Sequence, residues 1–248
     1  MRIDCAHLHR DCAHCCGLCC TAFQFLGRAG CFDAKPAGVP CVHLDENNRC
    51  AVYAQREGLN LSWCLSFDCF GAGPAALRRM GGQSWRDAPD GGAVLFQVFS
   101  QLLPLHQLEW YLVQALEAAQ TPRFRAHLTE LRQVNLQLQQ LSIPELLTLD
   151  VESHRTQVST ALHQLTTFHC PHKVPAHGNC VGRRFLGIDL REHDCSLALF
   201  QEAGLRGCDL TGTSFLGAHP TSADLTGADL SHALFLTQNQ PNTARGSA

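Results

Sequence analysis

The sequence predicts a three-part α+β protein with a cysteine-rich, metal-stapled head, a helical middle region and a C-terminal coil of five-residue sides. Eleven of its fifteen cysteines lie in the first 69 residues. Residues 93–168 contain neither glycine nor cysteine and follow helical periodicity. Residues 183–237 repeat with a period of five. We therefore expect domains at 1–90, 91–168 and 183–240, with a linker at 169–182 and a tail at 241–248.

The bulk composition narrows the classes of function. Net charge is −3 and 45% of the residues are hydrophobic, so no basic surface for nucleic acid or anionic membrane is expected. The apolar runs are shorter than the ~20 residues that a membrane-spanning helix needs. The first residues lack the apolar core of a signal peptide. We therefore expect a cytoplasmic protein with reduced thiols, no membrane partner and no direct nucleic-acid partner.

The head contains the stretch "DCAHCCGLCC", residues 11–20, which places five cysteines within nine residues. Further cysteines recur in "PCVHL", "NNRCAVYAQR" and "WCLSFDCFG". In a reducing compartment such a block indicates a metal site before a disulfide framework. Thiolates at this density repel one another unless a cation neutralises them, and a small segment without its own core needs such a staple.

These phrases together resemble the zinc- or iron-chelating domain family known for its CxxCxxCC motif, over about residues 10–72. The family has a cysteine three residues before Cys16, where this chain has Ala13, so that either Cys12 or Cys15 takes the first ligand position. Cys5, Cys31, His14 and His43 are possible substitutes. The resemblance implies zinc, in one or two four-cysteine sites, with iron or an iron–sulfur cluster as the alternative. The candidate ligands are Cys12, Cys15, Cys16, Cys19, Cys20, Cys41, Cys50, Cys64 and Cys69.

The middle region is predicted to be helical throughout. Pro104 is expected to end or kink a long first helix, and Thr121-Pro122 is typical of the start of a second one. Ser142 and Glu145 match a capping box, which predicts a third helix over 145–168. The titratable residues of these helices are expected to lie at the surface or to be satisfied by neighbours: His106, Glu109, His154 and His163.

The C-terminal third divides into eleven five-residue units from Arg183 onwards. The third position of each is mostly Leu or Phe, and the first is mostly small, usually Ala. A square coil with one unit per side has this period, and it points the large and small residues inwards. The pattern resembles the pentapeptide-repeat family with its A(D/N)LXX signature. The resemblance implies a right-handed quadrilateral β-helix of twenty residues per coil, with Cys195 as a buried hydrophobe and Pro220 as a departure.

The complete arrangement resembles bacterial pentapeptide repeat-containing proteins. Known members of the repeat family mimic DNA and protect gyrase, but residues 183–240 carry only four Arg against seven acidic side chains, a net charge of −3. Duplex DNA over the ~13 Å of such a coil would carry about eight charges.

Three functions therefore remain open. The leading hypothesis is a metal-binding interaction or scaffold protein with an unidentified protein partner. The alternatives are an iron–sulfur or iron redox protein and a DNA mimic that protects a topoisomerase. Pairing of two copies through the coil ends is also open. No phosphate-binding loop and no hydrolase or metalloprotease motif occurs in the sequence, which favours a protein that is not an enzyme.

Overall fold

A computed structural model describes residues 5–25, 34–56, 58–59, 61–174, 178–219 and 223–238. Cys31 and Pro220 lie outside these residues. The chain forms two compact units. Unit 1 comprises the described residues of Met1–Cys64, Cys69–Val113 and Thr129–Val158, and unit 2 those of Leu65–Asp68, Gln114–Leu128 and Ser159–Ala248. The predicted helical region 91–168 is thus divided between the two units.

Seven α-helices and two short strands lie in the described residues. None of these helices combines the length and apolar character needed to cross a bilayer. The helices are Leu18–Ala22 (α1), Ser62–Ser66 (α2), Ala72–Arg79 (α3), Ala93–Ala118 (α4), Pro122–Gln139 (α5), Ile143–Leu147 (α6) and Val151–His169 (α7), and the strands are His172–Lys173 (β1) and His193–Asp194 (β2).

The structure decides between two expectations for Pro104 and corrects the bounds of the third helix. Helix α4 continues through Pro104, so the proline does not end it; a proline inside a helix costs about 3 kcal/mol, and the neighbouring Leu102 and Leu105 are buried. The helix predicted over 145–168 is two helices. The capping box begins α6 as expected, but the carboxylate of Asp150 then accepts from the backbone N–H groups of Glu152 and Ser153 and starts α7.

Unit 1 buries a polar network between α4, α5 and α7. Glu109 is fully buried and accepts hydrogen bonds from Arg132 Nε at 2.7 Å and Asn135 Nδ2 at 3.3 Å. The Asn135 amide nitrogen also donates to the Leu105 carbonyl, so its oxygen is the acceptor for His154 Nε2 at 3.2 Å. Glu109 and His154 are therefore satisfied by neighbours, as the sequence predicts, although both lie inside rather than at the surface.

His106 is a second buried titratable group of unit 1. Its Nδ1 donates to the Phe70 carbonyl at 2.8 Å, because a carbonyl can only accept. The imidazole is 3% exposed, and burial lowers its pKa to about 4.

Unit 2 is built on a coil with a period of twenty residues. Parallel bridges join residues twenty apart along the coil, from Asn179 with Leu199 to Ser214 with Leu234. The twenty-residue coil implied by the repeat is thereby confirmed. Strand β1 pairs in parallel with β2, His172 lying opposite His193, so the first coil begins inside the segment 169–182 that was predicted as a linker.

Each side of the coil ends in a turn whose chemistry explains the repeat. The fifth residue of a side, two after the large inward residue at the third position, has positive φ at ten of the described sides. Six of these residues are glycine: Gly182, Gly187, Gly207, Gly212, Gly217 and Gly227. This is the position of a tight turn that favours glycine. An aspartate at the second position of a side accepts a hydrogen bond from the backbone N–H two residues further along the chain. Asp209 accepts in this way from Thr211, and Asp229 from Ser231. The glycine and aspartate positions of the repeat are therefore the positions that form the turn.

The coil encloses one apolar core. The rings of Phe185, Phe200 and Phe215 pack in a row at steep angles, with neighbouring centroids 5.9 and 6.2 Å apart. Cys195 is fully buried in the same core, as predicted. Cys170 and Cys180, the thiols of the predicted linker, are buried as well.

One face of the coil is covered by helix α7. Thr166 Oγ1 of α7 lies 3.1 Å from Ser214 Oγ, and Cys170 Sγ donates to the Gly212 carbonyl at 3.3 Å. The end of the coil also contacts α4, where Gln114 Nε2 donates to the Leu236 carbonyl. Helical segments are therefore integral to unit 2.

Candidate metal centre

The first cysteine cluster is shaped by two tight turns in unit 1. A 3-10 helix spans Cys12–His14, and Asp11 caps it by accepting from Ala13 N at 3.1 Å while its other oxygen lies 2.7 Å from His14 Nδ1. The next turn has positive φ at Cys16 and Gly17. A Cβ on Gly17 would lie 2.7 Å from the Leu44 side chain, so only glycine fits where α1 begins.

Helix α1 carries the last two thiols of this cluster. Cys19 Sγ and Cys20 Sγ are 3.9 Å apart. The preceding turn is fastened by Trp85, whose indole N–H donates to the Cys16 carbonyl at 2.9 Å. The predicted ligand Cys16 therefore serves this turn through its backbone.

A hairpin brings Cys41 and Cys50 back to α1. The Cys41 N–H donates to the Cys20 carbonyl at 2.9 Å, which ties the start of the hairpin to the helix. Leu44 and Cys50 form an antiparallel bridge, and Ala51 N donates to the His43 carbonyl. The Asp45 side chain accepts from Asn47 N and Arg49 N, so the loop returns Cys50 beside Cys41.

Cys64 of α2 is joined to the same region by Arg56. The guanidinium donates through Nη1 to the Cys64 carbonyl at 3.2 Å and through Nε to the Tyr53 carbonyl at 2.8 Å. It also lies 3.7 Å above the centre of the Tyr53 ring. The cation is therefore fixed between the two chain segments.

The thiols of these three segments act on one another electrostatically. Burial, followed by the charges of Cys20, Cys41 and Cys50, raises the pKa of Cys64 to about 12. Burial also raises the pKa of Cys41 and of Cys50, and Cys20 adds to both shifts. We call Cys20, Cys41, Cys50 and Cys64 the thiol quartet.

Of the remaining candidate ligands, Cys12 acts on the quartet through its charge, which opposes ionisation of Cys20 and Cys50. Interaction with Cys15 is the largest cause that lowers the pKa of Cys12 to about 6, and the same interaction raises the pKa of Cys15. The hydrogen bond with Cys20, then burial, raises the pKa of Cys19, and the charges of Cys20, Cys15 and Cys69 add to the shift.

Two cations that sequence reasoning missed face the quartet. Lys35 is 8% exposed, and its Nζ donates to the carbonyls of Thr21, Phe23 and Pro36. The hydrogen bond with Cys19 is the main cause that lowers the pKa of Cys20, and the charges of Lys35 and Arg56 lower it further. The only sequence signal for these residues is a positive charge flanking the cysteine phrases, because their contacts are long-range.

The described part of the chain contains no group of three His, Cys, Asp or Glu side chains already at metal-binding geometry. The donor chemistry nonetheless fits a thiophilic metal, since the quartet consists of soft sulfur ligands from three segments. Of the possible substitutes, His14 is bound to Asp11, and Cys31 lies outside the described residues.

Comparison with known proteins finds pentapeptide repeats in the coil. The family model described as Pentapeptide repeats matches residues 185–217 and 203–235, with eight copies. Pentapeptide repeats therefore occupy residues 185–235.

Two curated relatives each match part of the chain. An uncharacterized protein, YybG of Bacillus subtilis (strain 168), is 34% identical over 153 residues, which is 61% of this chain and 55% of that protein. The UPF0153 protein YeiW of Escherichia coli (strain K12) is 43% identical over 44 residues, or 17% of this chain and 52% of that protein. The chain spans about half the length of the curated relatives it matches. No solved structure matches it.

Proposed function

We propose that this protein is a zinc-binding interaction or scaffold protein, in which the thiol quartet holds the metal and the coil offers a contact surface to another protein. The observation that carries the metal proposal is the convergence of thiols from α1, the hairpin and α2. Cys41 is fastened to Cys20 through the backbone, and Arg56 is fastened to Cys64. Distant segments that meet in this way are typical of closed four-cysteine sites.

The charge of the surroundings supports zinc. Four thiolates around Zn²⁺ carry a net charge of −2, and the two cations that face the quartet, Lys35 and Arg56, supply +2. A buried charge is stable only when it is paired. The metal would join three segments of unit 1, and structural zinc contributes about 10–16 kcal/mol of apparent binding energy.

The contact surface is supported by apolar side chains on the outside of the coil. Leu186 is 80% exposed and Leu197 is 67% exposed, and Ile188 and Leu199 add further apolar area. Regular solenoid surfaces of this kind usually act by contact.

Asp189, Asp209 and Asp229 stand twenty residues apart along the coil and form an acidic column on its outside, and the contacts of this column favour a contact surface over a DNA mimic. Arg191 bonds Asp189 at 2.6 Å and lies 3.7 Å from Asp209, so one guanidinium neutralises part of the column. The aspartates also accept turn hydrogen bonds, which gives them a structural role.

The metal proposal is tested by elemental analysis and a visible spectrum of the full chain purified without oxygen. We expect a colourless protein that contains zinc, and Cys64→Ser is expected to lose it. Cys170→Ser is the matched control, since Cys170 is a buried thiol of unit 2 that donates to a carbonyl, and it should retain the metal. A brown protein that absorbs near 400 nm would instead support the iron–sulfur alternative, and equal metal in Cys64→Ser and wild type would contradict the quartet.

The contact proposal is tested by chemical cross-linking in cell extract. The chain with Leu186→Glu and Leu197→Glu should lose a cross-linked partner that the wild type captures reproducibly, while keeping its circular dichroism. Capture of the same partner by both chains would contradict a contact surface at these side chains.

A further inference from the structure

The segment Cys12-Ala13-His14-Cys15 holds two thiols, three residues apart, beside the quartet. We propose that Cys12 and Cys15 form a thiol–disulfide exchange couple, which is oxidised by small disulfides and reduced by thiols while the quartet keeps its metal. This activity goes beyond the proposed metal function and rests on it only for the claim that the quartet keeps its metal.

The backbone of the segment brings the two sulfur atoms together. Cys12 begins the 3-10 helix and Cys15 follows its last residue. In a 3-10 helix, side chains three residues apart eclipse each other, and three residues at 2.0 Å of rise separate their Cα atoms by about 6 Å. That separation lies within the range that disulfides span. The structure agrees with this placement, because the Cys15 thiol turns back over the 3-10 helix and lies 3.7 Å from the Cys12 carbonyl oxygen.

The two thiols differ in access as an exchange couple requires. Cys12 is exposed, whereas Cys15 is 7% exposed. Helix α3 packs on this side of the 3-10 helix, and a Cβ on Gly73 would lie 3.0 Å from Cys15 Cβ. An oxidant from solvent can therefore reach Cys12 first, and Cys15 is placed to complete the reaction from inside.

The turn that carries the couple is braced independently of any metal. Asp11 binds both the Ala13 N–H and the His14 ring. These contacts fix the backbone between the two cysteines, so closing the disulfide needs side-chain rotation rather than refolding of the turn.

The exchange conserves atoms and electrons. The Cys12 sulfur attacks a small disulfide such as oxidised glutathione, which forms a mixed disulfide and releases one thiol. Cys15 then attacks the Cys12 sulfur, which forms the Cys12–Cys15 bond and releases the second thiol. Two electrons and two protons pass from the couple to the oxidant, and reduction by the same thiol reverses both steps.

The experiment uses the full metal-loaded chain equilibrated with oxidised and reduced glutathione, followed by alkylation and tandem mass spectrometry. We expect the wild type to protect Cys12 and Cys15 together as one disulfide, with metal content unchanged. Cys15→Ser should accumulate glutathione on Cys12, because the resolving thiol is missing. Cys12→Ser should take up no glutathione at Cys15, whereas Cys16→Ser should still form the Cys12–Cys15 bond.

Three results would overturn the couple. In the first, the metal is lost, either from Cys12→Ser or from the wild type on oxidation. In the second, the disulfide joins Cys16 and Cys19 instead. In the third, Cys15→Ser forms no mixed disulfide at Cys12. Fragment mapping of the wild type gives the answer even if a variant does not fold. If the couple fails this test while Cys64→Ser still loses zinc, the exchange proposal is wrong and the proposal that the quartet holds the metal stands.

Discussion

Replacing Lys35 by methionine should weaken metal binding by removing a charge beside the quartet. The thiols are largely neutral without metal and carry a net charge of −2 with Zn²⁺, so the lysine stabilises the bound state. Lys35 is 8% exposed and is little screened by solvent. A charge of +1 roughly 8 Å from a net charge of −2 interacts by about 4 kcal/mol at an effective dielectric constant of about 20, which corresponds to about a thousandfold in affinity.

The assay is competition for zinc between the full chain and a chromophoric chelator. Lys173→Met is the matched control, because Lys173 is the chain's only other lysine and pairs with Asp194 in the coil. We expect that control to bind zinc like the wild type. Equal zinc affinity of Lys35→Met and wild type, with both chains folded by circular dichroism, would refute the charge argument.

Three further predictions concern stability. Arg132→Met should lower the free energy of unfolding by about 3–5 kcal/mol, because it leaves the fully buried Glu109 without its cation. Adding Glu109→Gln should restore much of this loss, and urea unfolding of the single and the double variant measures the two effects. Phe200→Ala should lower the free energy of unfolding by about 3–5 kcal/mol, because Phe200 is fully buried and packs edge-on or tilted against Phe185 and Phe215. Faster hydrogen exchange in the coil reports this loss. Below pH 6.5 the unfolded chain protonates His106 while the folded chain, with a pKa of about 4, does not, so stability should fall from pH 6.5 to 4 by up to about 3 kcal/mol.

Controls separate these effects from general damage. His163→Gln changes an exposed histidine, and it should keep the wild-type pH dependence that His106→Gln flattens. Identical pH curves for all three chains would contradict the assignment to His106. An Arg132→Met chain as stable as the wild type would show that Glu109 is not held as a buried charge, and unchanged exchange in Phe200→Ala would contradict a single packed coil core.

Local chemistry made the coil predictable from sequence. Each feature of the repeat depends only on residues within one five-residue side, so the sequence alone reveals the pattern. These features are the period of five, the small residue at the first position and the glycine at the turn. The same holds for the capping box of Ser142 and Glu145. The break before α7 was missed because Asp150 acts as a cap only once Leu146 and Val151 are buried on either side of it.

The candidate metal centre was only partly predictable. Cysteine phrases marked the thiols, and the metal itself stays a prediction. Their grouping into a quartet depends on contacts between residues far apart in sequence, such as Cys41 with Cys20 and Arg56 with Cys64. The sequence left Cys12 and Cys15 as rivals for one ligand position. The structure places the Cys15 thiol 3.7 Å from the Cys12 carbonyl oxygen, a contact that no spacing rule distinguishes from two independent ligands.

The turn after every fifth residue separates two kinds of change in the coil. Removing one side, for example residues 203–207, keeps every large residue inside but turns all later sides by a quarter of a circuit. Helix α7 would then meet side chains that formerly faced elsewhere, and the contact of Thr166 with Ser214 would be lost. Only a change of twenty residues returns each outward side chain to its column. Insertions and deletions of five residues therefore preserve the packing of the interior. Only those of twenty residues also preserve the arrangement of side chains on the outside.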